Sequence, residues 1–175
     1  HAEGAKVVVS VDCGIRSLDA ARRAREIGID LIVTDHHEPA DVLPRALAVI
    51  NPRRRDSDYP DPNLSGAGVA FKIAQGICIR AAHIDWVSAL LKIAAIGTVA
   101  DVVPLRGENR VIASLGLEAL TVGVHTKGLQ ALLEVCGLTG RRIESDDVSF
   151  RIAPRINAAG RMSSAEVAAE LLLSA

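Results

Sequence analysis

The chain has 175 residues, 49% hydrophobic and 23% charged, with a formal net charge of −1. This suits one domain or slightly more with a real apolar core. It excludes a bulk electrostatic field that would attract nucleic acid or a membrane, so any polyanion site has to be local.

With one Trp, one Tyr and two Phe, the core has to be filled by Val, Ile, Leu and Ala. Three separated cysteines, Cys13, Cys78 and Cys136, fit a reducing compartment better than a disulfide framework or a zinc cluster. No apolar run reaches the length of a membrane span, and no signal peptide is visible. The chain opens on His1 rather than Met and ends inside an amphipathic pattern, so it is read as a fragment of a longer protein.

"AKVVVSVD" (residues 5–12) is β-branched and short, and predicts a strand buried on both faces. "SLDAARRAREIGID" predicts a helix that Ser17 can cap and Gly28 ends. "DLIVTD" (30–35) and "ALAVINP" (46–52) predict two further strands, the last closed by proline. Strand, helix, strand at this spacing makes a βαβ unit with a parallel sheet. "RRRDSDYPDPNLSG" (53–66) reads as a loop, with Arg53–Arg55 solvated.

The pattern then turns helical. "GVAFKIAQGICIRAA" and "DWVSALLKIAAIGTVAD" predict two apolar helices, and "ENRVIASLGLEALTV" and "GLQALLEVCG" two shorter ones. "SDDVSFRIA" predicts a helix opened by a capping Ser-Asp pair and interrupted by "PRINAAGR", and residues 163–175 are helical again. The fold class is therefore α/β, a parallel sheet in front and a mostly α-helical half behind.

In an open parallel sheet, ligands bind beyond the carboxyl ends of the strands. Asp12 stands at that end of the first strand, and Asp35, His36 and His37 at that end of the second. If the two strands are neighbours, these four residues share one shelf. Mixed carboxylate and imidazole donors without cysteine suit manganese or magnesium, with zinc less favoured. The alternative is that Asp35 caps a turn and the histidines line a polar surface. Because side chains alternate along the backbone, one histidine is expected to join Asp12 at a metal, while the other faces a substrate phosphate.

Asp101 interrupts the apolar run "AIGTVADVVPL", where an unpaired buried carboxylate would be costly. It reads as a metal ligand or as a hydrogen-bond hub. "FRIAPRINAAGR" holds Arg151, Arg155 and Arg161 among small residues, with Pro154 and Gly160 breaking regular structure. Such a loop suits bidentate phosphate contacts, or else is a solvated turn. The glycines of "SGAGVAF" either expose helix amides to an anion or allow close packing, and packing is favoured.

"VDCGI", "VTDHHEP", "LPRALAVINP", "LSGAGVAFK", "IGTVADVVPL" and "PRINAAGR" occur in that order between residues 7 and 161. This ordered set resembles the RecJ single-strand-specific DNA exonucleases of the DHH phosphoesterase family. The resemblance implies a DHH-type, Rossmann-like sheet. It implies a two-metal site for Mn2+ or Mg2+ that activates water against a phosphodiester. Asp12, His36 and Asp101 would be metal ligands, with His37 near the substrate phosphate and Asp35 orienting the loop. Arg155, Asn157 and Arg161 would contact the DNA.

It further implies 5′-to-3′ digestion of single-stranded DNA in cytoplasmic recombination and repair. Single-strand-binding protein and a helicase would be partners of the full-length protein, and no membrane is involved. Residues 1–105 would be the C-terminal portion of the DHH catalytic domain and 106–175 a helical continuation leading to a linker helix. The family's first motif, an Asp-x-Asp, is expected upstream of His1, and further domains downstream. The 175 residues alone are therefore expected to be inactive. Two alternatives stand beside this reading: a DHH phosphoesterase acting on oligoribonucleotides, cyclic dinucleotides or pyrophosphate, and a catalytically dead scaffold.

Overall fold

The computed structural model describes residues 4–162 and 164–174. Three strands, β1 (Val7–Val11), β2 (Asp30–Thr34) and β3 (Ala48–Ile50), form one parallel sheet in the order β1-β2-β3. Val11 pairs with Thr34, and Thr34 with Ile50, so all three strands end at the same level. The helix α1 (Leu18–Glu26) makes the crossover from β1 to β2. Gly28, at φ +72°, lets the chain turn out of α1, with its own N–H on Arg25 O and that of Ile29 on Ala24 O. Ser17 is the residue before α1, but its hydroxyl makes no capping bond.

β1 is not buried on both faces. Val7, Val8, Val9 and Val11 are each 41–52% exposed, because β1 lies at the sheet edge with little packed over it. A valine run reports preference for the extended backbone as much as burial.

The helical half begins with α2 (Gly66–Arg80), α3 (Trp86–Ala100), α4 (Gly107–Val122) and α5 (Lys127–Val135). α3 is the spine. Its Gly97 lies against Ala67 of α2, and on α4 the Cα of Gly116 lies against Ala95 and Leu91 O. These small residues let the three helices approach closely. One apolar cluster joins Leu64, Val69, Phe71, Ala94 and Ile112. A larger one joins Ile96, Val99, Leu120, Leu129, Leu132, Val148 and Ile152, so the helices after residue 106 share a core with α3.

A short α6 (Ser145–Asp147) runs through a π-helical turn (Val148–Ile152) directly into α7 (Ala153–Met162). The capping residue of α6 is Glu144 rather than the Ser-Asp pair, and Asp147 reaches back to accept its N–H at 3.2 Å. "PRINAAGR" does not interrupt a helix: it is α7. Pro154 has no N–H, and its ring would crowd the carbonyl of Phe150 in an ordinary α-helix. The widened turn, with Ala153 N–H on Val148 O, takes up that misfit just before it. The last helix is α8 (Ala165–Leu173); Ser163 and Ala175, expected to be helical too, lie outside the described residues.

The same Gly→Ala change should have opposite signs on two helices. At Gly116 a new Cβ would meet Ala95 Cβ at 2.2 Å and Leu91 O at 2.8 Å, neither able to give way cheaply. Overpacking of this kind costs about 1–3 kcal/mol. At Gly76 in α2 nothing lies within 4 Å, and removing a mid-helix glycine gains up to about 1 kcal/mol. Thermal unfolding should show Gly116→Ala melting below the parent and Gly76→Ala above it.

Candidate metal centre

Asp12 is the first residue beyond β1 and sits at φ +61°, a left-handed conformation that Asp tolerates better than most residues. The turn brings its carboxylate back over the strand ends. Gly66, the first residue of α2, lies directly beneath: a Cβ there would stand 2.0 Å from Asp12 Oδ1. The "SGAG" glycine thus makes room for a carboxylate, which refines the close-packing expectation.

Asp35 follows β2 and is 1% exposed. Its Oδ2 accepts the Ile15 N–H at 2.9 Å. Its Oδ1 accepts the backbone N–H groups of His36 and His37 at 2.8 and 3.1 Å, and pairs with His37 Nδ1 at 2.7 Å. Burial alone would raise this carboxyl's pKa, but the donors from Ile15, His37 and His36 outweigh burial and hold it below the usual value. The same bond to Asp35 raises the pKa of the His37 imidazole. Asn51, just past β3, donates from Nδ2 to His37 O at 2.9 Å and fixes the loop from the other side.

His36 is buried, and its Nε2 stands 3.1 Å from Asp12 Oδ1 and 3.4 Å from Asp101 Oδ2. Asp101 ends α3, and its side chain is 26% exposed rather than buried. Neither approach is aligned as a hydrogen bond. Both ring nitrogens of His36 and Asp101 Oδ2 are buried without a hydrogen-bond partner. Unpartnered buried polar atoms are rare and costly, and His36 Nε2 and Asp101 Oδ2, facing each other unbonded beside Asp12 Oδ1, are what a divalent cation would satisfy. Burial, then the Asp101 carboxylate, pushes the Asp12 carboxyl above its usual pKa, with His36 opposing. A cation between the two carboxylates would remove that repulsion. The donor set of oxygen and imidazole nitrogen fits manganese or magnesium.

His37 does not face away from this cluster. Asp12, His36 and His37 each offer a ligand atom, all within 4.8 Å of one another, and the two imidazole centroids are 4.5 Å apart, edge to face. The alternation expected of a strand ends at Thr34, and Asp35 then swings both histidines to one side. With Nδ1 held by Asp35, His37 presents its other nitrogen outward, the arrangement by which a carboxylate orients a metal-binding imidazole.

Arg155, Asn157 and Arg161 are not brought to this cluster. Among the described residues, no hydrogen bond or ion pair joins them to it. Asn157 and Arg161, four apart on α7, share one helix face, while Arg155 turns toward Arg151, donating to its carbonyl at 2.8 Å. Arg155 lines a cleft of about 530 Å³ with Leu132, Ile156 and Leu171. Of Arg53–Arg55, Arg55 is solvated as expected, meeting Asp41 only at the surface at 3.1 Å, while Arg53 and Arg54 are half-buried and pair with Glu38 and Asp56 at 3.7 and 2.6 Å.

Sequence reasoning missed a buried polar knot behind the site. Ser65, Thr98 and Asn109 are each 0% exposed. Ser65 Oγ accepts the Gly68 N–H at 2.9 Å and shares a hydrogen bond of 2.8 Å with Thr98 Oγ1. Asn109 Oδ1 accepts the Ser65 N–H at 3.0 Å. The available signal was a polar residue at or near one end of each of three helices, and it was hidden because such residues ordinarily suit a helix end.

Asp35 contributes stability that depends on pH in a defined direction. Its folded pKa lies below its unfolded one, so that stability is full above about pH 4 and is lost as pH falls through the folded value. Asp35→Asn keeps the shape but points an amide at one of the donors, and should cost about 1–3 kcal/mol at pH 7. Urea unfolding should show the variant's deficit shrinking below about pH 4; a deficit that does not change with pH would contradict this role.

Residues 3–98 match the family described as "DHH family, N-terminal domain". The chain is 40% identical over 183 residues to the single-stranded-DNA-specific exonuclease RecJ of Escherichia coli, covering 99% of this chain and 32% of that protein. It is 42% identical over 171 residues to that of Bacillus subtilis, covering 98% of this chain and 21% of that protein. The chain therefore spans a third or less of these relatives. The crystal structure of RecJ in complex with Mn2+ from Thermus thermophilus superimposes with a TM-score of 0.83 at 39% identity, over 98% of this chain and 25% of that one. The matched region holds the Asp-His-His triplet at the carboxyl end of a parallel strand, beside an aspartate one strand over, and this chain belongs to the DHH family.

Proposed function

We propose that this chain is the metal-binding core of a metal-dependent 5′-to-3′ single-stranded-DNA exonuclease acting in recombination and repair. The observation that carries the reading is the approach of the Asp12 and Asp101 carboxylates to His36 Nε2, with that nitrogen and Asp101 Oδ2 buried and unpartnered. The relatives named RecJ supply the substrate class. Asp12, His36 and Asp101 would hold Mn2+ or Mg2+, His37 would stand at the open side toward the phosphate, and Asp35 would orient the loop that carries both histidines.

When bound, the metal supplies Lewis acidity toward the phosphodiester and toward water. The protein's part is to hold the donors rigid. Asp35 fixes the Nδ1 of His37, which leaves Nε2 free to face substrate. His36 is kept from hydrogen bonding to either carboxylate, so its ring needs no reorganisation before it can coordinate. Asp12 finds room over Gly66, where a side chain would collide with its carboxylate. With such a centre no side-chain nucleophile is needed.

Residues 1–105 are assigned to the DHH catalytic domain, and 106–175 to a helical continuation that shares the core of Ile96 and Val99. Asn157 and Arg161 are the pair on α7 best placed to act together on a DNA backbone, since they share a helix face. Single-strand-binding protein and a helicase are proposed partners of the whole protein. No described helix is long and apolar enough to cross a membrane, and a cytoplasmic location is proposed.

The full-length protein should digest single-stranded DNA with manganese present, and a chelator should stop it. Asp12→Ala and His36→Ala should each lower that activity to background. Parent-level digestion by either variant would overturn the metal assignment. Digestion of dinucleotides or a cyclic dinucleotide in preference to long single strands would instead favour a small-substrate phosphoesterase.

A further inference from the structure

Asn109 belongs to α4, a helix that contributes no donor to the metal centre. Its carboxamide is nevertheless 0% exposed and bonded at both ends. Oδ1 accepts the Ser65 N–H at 3.0 Å, and Nδ2 donates to Asn63 O at 2.6 Å and to Pro104 O at 3.2 Å. Both N–H donors and the carbonyl are thus in use.

The three backbone groups it joins come from two different segments. Asn63 and Ser65 lead into Gly66, the glycine that lies against the Asp12 carboxylate. Pro104 is three residues beyond Asp101. Ser65 in turn is bonded through its hydroxyl to Thr98, three residues before Asp101. Asp101 is therefore tied on both sides to the segment on which Asp12 rests. A further strand of the tie runs alongside: the Glu108 N–H donates to Asp61 Oδ2 at 2.9 Å, and Glu108 holds Lys72 of α2 at 2.9 Å and accepts the Tyr59 hydroxyl.

Asp101 needs such a tie. Val102, next to it, is at φ +58°, a conformation poorly suited to a β-branched residue, and the residue is 88% exposed. Nothing local makes this backbone favourable, so what holds it comes from the surroundings.

We propose that Asn109 is a positioning residue for the metal centre, its carboxamide setting the separation of Asp12 and Asp101 by locking the segment under Gly66 to the loop after Asp101. This rests on the reading that Asp12, His36 and Asp101 hold the metal. No other side chain of similar size replaces it. Aspartate would aim carboxylate oxygen at two carbonyls, and leucine would leave the buried Ser65 N–H without its acceptor and two carbonyls without their donor.

The test measures Mn2+ affinity of the full-length protein by electron paramagnetic resonance titration, together with Tm and the split of kcat against KM on single-stranded DNA. Asn109→Ala should weaken Mn2+ binding about 10-fold, the scale on which supports of metal ligands act. It should lower kcat with little change in KM for DNA. Leu120→Ala, in the buried core on the same helix, should lower Tm while leaving Mn2+ affinity at the parent value. Asn109→Asp, closest in shape, serves if the alanine variant does not fold, and should weaken binding likewise. Parent-level Mn2+ affinity in a folded Asn109 variant would overturn the proposal, as would an equal affinity loss in Leu120→Ala. Parent-level affinity in Asp12→Ala would instead overturn the metal-centre reading on which the proposal stands.

Discussion

Everything at the site depends on one buried carboxylate. Asp35 accepts from the Ile15 N–H on the β1–α1 turn, from two successive N–H groups of its own loop, and from the His37 ring. These bonds join the exits of two parallel strands. They fix where the first crossover starts, and they turn both histidines toward Asp12 when simple alternation would part them. The carboxylate has to stay charged to accept from four donors, and the donors have to stay aimed to keep it charged. That mutual requirement makes the shelf rigid without any covalent link.

Around that anchor the chain places groups that do not satisfy one another. Asp12 takes a left-handed backbone, Gly66 gives up a side chain, and Asp101 is followed by Val102 in a poor conformation. His36 lies between two carboxylates and bonds to neither. Each of these costs stability in the bare protein, and together they describe a set of donors placed for a small cation. The helical half then has a structural purpose: the α3–α4 pair, packed closely through Gly116 and Ala95, carries Asp101 and the Asn109 carboxamide as one unit.

Much of this was legible in the sequence, because the signals were local. The strand–helix–strand order follows from short β-branched runs and Gly28. The Asp-His-His triplet at a strand end is visible without coordinates, and Asp101 stands out as a charge in an apolar run. What was not legible depends on distant partners. The valines of β1 look like a buried strand, but exposure is decided by what packs on the sheet. "PRINAAGR" looks like a break because Pro154 and Gly160 disfavour helices, and only the π turn ahead of Pro154 shows how the helix accommodates it. The direction of His37 depends on the bond to Asp35, and the Ser65–Thr98–Asn109 knot joins residues up to 44 apart in sequence.

The central claim is that Asp12, His36 and Asp101 are ligands of one divalent metal. Anomalous scattering from crystals of the full-length protein grown with manganese tests it most directly. The account predicts a peak at bonding distance from His36 Nε2, Asp12 Oδ1 and Asp101 Oδ2, lost in Asp12→Ala crystals. Manganese bound elsewhere, with His36 Nε2 instead hydrogen-bonded to a carboxylate, would contradict it.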